Sequence, residues 1–214
     1  MFQFINSSHL KYCFLASVLP LSGCGGAEGN GTASAGNLQS SVADLRGGVR
    51  HCAPSGPLVE PTVPVALSAP ASATLVARYH AVGTQIYTCL PDPNAPTDGG
   101  VSGIWTFKAP SATLYNSHCC VAATHFAGPT WQSVDGSTVV GSKVASAGSP
   151  NAASIPILLL KAKSNTGSGI FSNVTYVQRL DTQGGVAPSG ACGTEGAELA
   201  VPYEANYYFY TGGV

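Results

Sequence analysis

The sequence predicts an all-β fold, a single-domain sandwich or barrel of about ten short strands. Three observations predict it. Short runs rich in Val, Ile, Thr and Tyr recur along the chain, Gly, Pro, Asn and Asp punctuate them, and the apolar repeat of a helix is essentially missing. The expected strands span residues 74–80, 84–90, 103–108, 112–116, 121–126, 130–134, 138–145, 155–163, 174–180 and 205–211.

Each run has its own local justification. Val76 and Tyr79 mark the first, Ile86 and Tyr87 the second, and Ile104 and Phe107 the third. Asp135-Gly136 is the clearest hairpin signal, because both residues tolerate the positive φ of a tight two-residue turn, and it joins Trp131 to Val139. Ile157-Leu158-Leu159-Leu160 lacks alternation, as expected of a strand covered on both faces, and Pro156 belongs at its beginning. In 174–180, Arg179 lies opposite Tyr176 and Gln178 in face; if half-buried it needs a partner, for which Asp181 or Glu204 is available. In the last strand Asn206, Tyr208 and Tyr210 share one face and Tyr207 and Phe209 the other. One of these faces is core; the other is an aromatic platform for a sugar or peptide, or simply strand pairing.

Ahead of this domain the chain reads as an address and a tether. Residues 1–23 form a signal peptide of lipoprotein type: Lys11 is the weakly basic start, 13–21 the apolar stretch, and Leu21-Ser22-Gly23-Cys24 resembles the bacterial lipobox. The apolar stretch falls well short of the roughly 20 residues needed to span a bilayer. Cys24 is the expected lipidation site and the membrane the expected partner through it, at the outer membrane or cell surface; ordinary secretion is the alternative. Residues 24–52 are a Gly/Ser/Ala tether, 53–69 a Pro-rich extended lead-in, and 70–214 the all-β domain.

Composition narrows the function. Charged residues make up 9% of the chain, and residues 53–214 hold six Lys or Arg against eight Asp or Glu, which leaves no phosphate-binding footprint. Nucleic acid is therefore not an expected partner. No strand, glycine-loop and helix unit serves a dinucleotide, so no cofactor is expected. Neither a nucleophile elbow nor a zinc-protease helix occurs.

Setting aside Cys13 and Cys24, five cysteines remain: Cys52, Cys89, Cys119, Cys120 and Cys192. In an oxidising compartment two disulfides and one free thiol are the ordinary outcome, with Cys89–Cys192 the preferred candidate among pairings that spacing leaves open. If the strand extends through them, Cys119 and Cys120 point to opposite faces. His118 and Cys120 would then lie about 7 Å apart on one face, too little on its own for a metal site, and none is assigned.

Gly83-Thr84-Gln85-Ile86-Tyr87-Thr88-Cys89, Trp105-Thr106-Phe107-Lys108-Ala109-Pro110, His125-Phe126-Ala127-Gly128-Pro129-Thr130-Trp131 with Asp135-Gly136-Ser137, Ile155 to Leu160, Val177-Gln178-Arg179-Leu180 with Thr182-Gln183-Gly184-Gly185, and Tyr203 to Tyr210 form an ordered series of segments. Together they resemble domain-of-unknown-function family 3455. The resemblance implies an exported bacterial or fungal protein and brings no catalytic residues to carry over. Residues 116–120 depart from the family pattern.

His125 is the foremost candidate functional side chain, standing before a Gly-Pro turn and near Trp131; the alternative is that its ring bonds a nearby carbonyl and steadies the turn. Trp131, Arg179, Tyr208 and Tyr210 complete the candidate ligand-binding set. The expected function is a lipid-anchored binding or interaction module for a glycan or peptide. A hydrolase or metal-assisted enzyme centred on His125 and a purely structural envelope component are the alternatives.

Overall fold

The structure is a computed structural model and describes residues 57–93 and 103–213. The signal segment, Cys24 and the tether lie outside the described residues. Eight strands follow one another: β1 (Ala73–Pro91), β2 (Gly103–Tyr115), β3 (Val121–Phe126), β4 (Thr130–Ser133), β5 (Thr138–Ala147), β6 (Ile157–Thr166), β7 (Val174–Gly184) and β8 (Glu198–Gly212). Each pairs antiparallel with the next, and β8 returns to β1, so one sheet closes on itself. Closure gives each strand a partner on both sides along at least part of its length.

Eight strands replace the expected ten because two supposed breaks are paired strand residues. Gly83 joins 74–80 to 84–90 inside β1, and Pro110 lies inside β2 opposite Gln85. Glycine is needed there for contact, not for a turn: a Cβ at Gly83 would sit 2.1 Å from the Ser111 carbonyl oxygen.

Alternation sorts the side chains into an interior and an outer cluster. The interior holds Ala77, Ala81, Trp131, Leu160, Val177, Tyr207 and Phe209 among others. Outside, Ile157, Leu159, Leu180, Tyr208 and Tyr210 pack under Leu67, which belongs to a single 3-10 turn, Val65–Leu67, and is fully buried. The Ile157 to Leu160 run is thus covered on both faces, as its lack of alternation predicts. Gln178 Nε2 donates to the Leu67 carbonyl at 2.6 Å and fastens this segment to β7.

The two ends of the ring differ. At one, Phe171 stacks on Phe209 with ring centroids 4.5 Å apart and plugs the interior. Asp135 secures that plug. Its Oδ2 accepts the Ile170 amide at 2.8 Å, its Oδ1 accepts the Ser137 hydroxyl at 2.6 Å, and the Ser137 oxygen accepts the Phe171 amide at 3.1 Å. The Asp135 hairpin differs from the expected two-residue turn: Ser133 and Ser137 pair across it, and only Gly136 takes a positive φ, 88°. A three-residue connection ending in a left-handed glycine explains this, because it frees the Asp135 carboxylate to bond outward.

The disulfide Cys89–Cys192 joins the end of β1 to the loop before β8, its Cα atoms 5.8 Å apart. Cys119 is also disulfide-bonded, and Cys120 is a free thiol. The strand-face argument for Cys119, Cys120 and His118 fails, because 116–120 is a turn. The Asn116 side-chain oxygen accepts the His118 and Cys120 amides, and Cys119 takes φ 59°.

Candidate functional site

At the end of the ring opposite the Phe171 plug lies a cavity of about 450 Å³ whose lining draws on all eight strands. That volume is within the roughly 300–1,000 Å³ usual for small-molecule sites. Its existence follows from strand length. β3 pairs with β2 only from Ala112 to Tyr115, and β4 with β5 only from Thr138 to Val140. The lower halves of β2 and β5 therefore lack neighbours on that side, and the two short strands leave a window in the wall. Phe107, Lys108 and Lys143 flank it.

His125 and Trp131 form the back of the cavity. They face each other across the β3–β4 hairpin, and their rings stack at 4.4 Å with an interplanar angle of 4°. Tyr207 meets both edge-on, at 5.2 Å from His125 and 5.5 Å from Trp131. Gly141 makes room for this arrangement, since a Cβ there would lie 3.0 Å from the Trp131 ring.

His125 is only 3% exposed. Burial pushes its pKa down to about 3, opposed by the bond to Thr130 and aided by the Arg179 charge. The ring is neutral near pH 7, so Nδ1–H donates to the Thr130 carbonyl at 2.9 Å and Nε2 remains an acceptor. The carbonyl-bonded role weighed from the sequence is present together with a place in the cavity wall.

Arg179 enters from β7 on the interior face, opposite Gln178. The expected carboxylate partner is not there. Asp181 accepts the Asn206 amide at 2.7 Å and Glu204 pairs with His80 at 3.4 Å, while Arg179 donates Nε and Nη2 to the Pro156 carbonyl at 3.2 and 2.9 Å. The β7 register shift between Leu180 and Gln183 accounts for the mismatch, because it turns Asp181, at φ 51°, to the outer surface.

Tyr208 and Tyr210 belong elsewhere. Both face the outer cluster: Arg78 lies over Tyr208 at 5.6 Å, and the Tyr210 hydroxyl lies 2.8 Å from Gln178 Oε1 and 2.9 Å from Glu60 Oε2. They form no exposed platform. Periodicity paired them correctly but could not say which face was interior.

Of the seventeen lining residues only His125, Trp131 and Arg179 were candidates from the sequence; Tyr207, Tyr87 and Gln85 are among those that were not. The Tyr87 hydroxyl donates to the Gly185 carbonyl at 2.6 Å, and Gln85 is 2% exposed. The available signal was a polar Gln85 in alternation with Tyr87 and Cys89 inside a strand. Among the described residues no group of three or more His, Cys, Asp or Glu is placed to hold a metal.

Residues 70–211 match the model of the family described as protein of unknown function, DUF3455. The chain belongs to this family. No curated protein and no solved structure matches it. The segments singled out in the sequence fall at both ends of the DUF3455 fold: Gln85, His125, Trp131 and Arg179 line the cavity, whereas Asp135-Gly136-Ser137 holds the plug.

Proposed function

We propose that this DUF3455 domain is a small-molecule-binding module that holds an apolar or aromatic ligand inside the ring. The observation that carries the reading is the cavity, lined from every strand, walled by Trp131, Tyr207 and Leu160, and reached through the gap left by β3 and β4. Binding suits this interior better than catalysis, because a general base works best with a pKa near the operating pH and His125 has been driven to about 3. The Leu21-Ser22-Gly23-Cys24 motif supports export and display from a membrane through Cys24.

Titration of the protein with a panel of cavity-sized aromatic and branched aliphatic compounds, read by tryptophan fluorescence, tests the binding role. Saturable one-to-one quenching is the expected result. Absence of saturation with every compound would overturn it. Mass spectrometry of the mature protein tests the anchor: an acylated Cys24 is expected, and an unmodified N-terminus at or after Cys24 would leave a secreted protein.

A further inference from the structure

We propose that the ligand is a small monocarboxylate, with its carboxylate on Arg179 and its apolar body against Trp131 and Tyr207. This rests on the cavity being a binding site and names the chemistry that it selects.

The lining carries Lys108, Lys143 and Arg179 and no Asp or Glu. The described residues hold two ion pairs, His80–Glu204 and Lys108–Glu198, so neither Arg179 nor Lys143 has an acidic partner among them. A half-buried guanidinium beside aromatic rings is costly to leave without a counter-charge, and the Pro156 carbonyl that takes two of its donors brings none. His125 is neutral and Tyr207 is held in its protonated form by burial, so neither supplies an anion.

Gln85 Nε2 and Trp131 Nε1, on two residues of the lining, are buried without a hydrogen-bond partner among the described residues, but neither nitrogen is open to the cavity. The guanidinium therefore asks for oxygens and one negative charge.

That demand separates ligand classes. A sugar presents as many hydroxyl donors as acceptors, and the lining has no carboxylate to receive them. A dianionic phosphate carries a second charge, for which the remaining unpaired cation among the described lining residues is Lys143, exposed to water at the window and too well solvated to favour a dianion strongly. A planar carboxylate matches the guanidinium fork and leaves the rest of the molecule for the aromatic wall. Lys143, exposed at the window, attracts such an anion on its approach.

Matched pairs test this on the unaltered chain: phenylacetate against phenylacetamide, and octanoate against octanamide, titrated calorimetrically, with maltose and phenyl phosphate alongside. The expected result is that each carboxylate binds at least about tenfold more tightly than its amide. Arg179→Met should erase that preference, weakening each carboxylate about tenfold more than its amide. Equal affinity for acid and amide, or tighter binding of maltose or phenyl phosphate, would overturn the carboxylate assignment while leaving a binding cavity. No binding of any of the six compounds would overturn both.

Discussion

Neutral His125 makes the cavity wall sensitive to acid. The unfolded chain takes up a proton near pH 6.5, whereas the folded ring does not until about pH 3. Stability is therefore complete above pH 6.5 and falls as the pH drops through that window, by about 2 kcal/mol at pH 5. Urea unfolding at pH 7 and pH 5 measures it. In His125→Gln, whose amide can still donate to Thr130, the loss on acidification should shrink by about that amount; an unchanged pH dependence would mean that the proton goes elsewhere. The stack on Trp131 was half legible in the sequence. Both residues were candidates, and the register of the hairpin around Gly128-Pro129 sets them opposite one another.

At the scale of elements, two short segments determine where the ring is filled and where it is open. The Asp135 hairpin fixes the plug by binding the 169–171 backbone, so Asp135→Ala should cost about 1–2 kcal/mol in thermal or urea unfolding. Burial raises the Asp135 pKa, but bonds from Ser137, Ile170 and Ser133 outweigh it and hold it below 3.8. This contribution is thus present above the ordinary carboxylate range and disappears as the pH falls through the depressed value. Hydrogen exchange of the Ile170 and Phe171 amides should report the release of the plug locally. Gly83 sets the other limit. Its Cβ would lie 2.5 Å from Ala112 Cα as well as against Ser111, so Gly83→Ala should cost about 3 kcal/mol or more, measured by the shift in unfolding midpoint. Glycine and proline read from sequence as breaks because turns are their commonest use; the β1–β2 pairing uses them as close contact and paired residue, which no local pattern distinguishes.

Across the whole molecule, the outer cluster depends on a segment that precedes the sheet. Leu67 is fully buried in the cluster that also holds Ile157, Leu159 and Tyr210 from β6 and β8, so Leu67→Ala should destabilise the chain by about 2–5 kcal/mol while leaving ligand affinity near its original value. Unfolding and binding measured on the same variant check both halves. Loss of affinity in step with stability would show that the outer cluster and the cavity are coupled. The all-β class and the doubly covered Ile157 to Leu160 run were determined by the sequence alone, because alternation and branching are local properties, whereas Cys89–Cys192 was a preference among open pairings and Arg179 was only set on the face opposite Tyr176 and Gln178. Which face of β8 became core, which carboxylates Arg179 missed, and the opening beside β3 and β4 were decided only by the closed sheet. Those depend on register between strands far apart in the chain, and register follows from packing the whole ring at once.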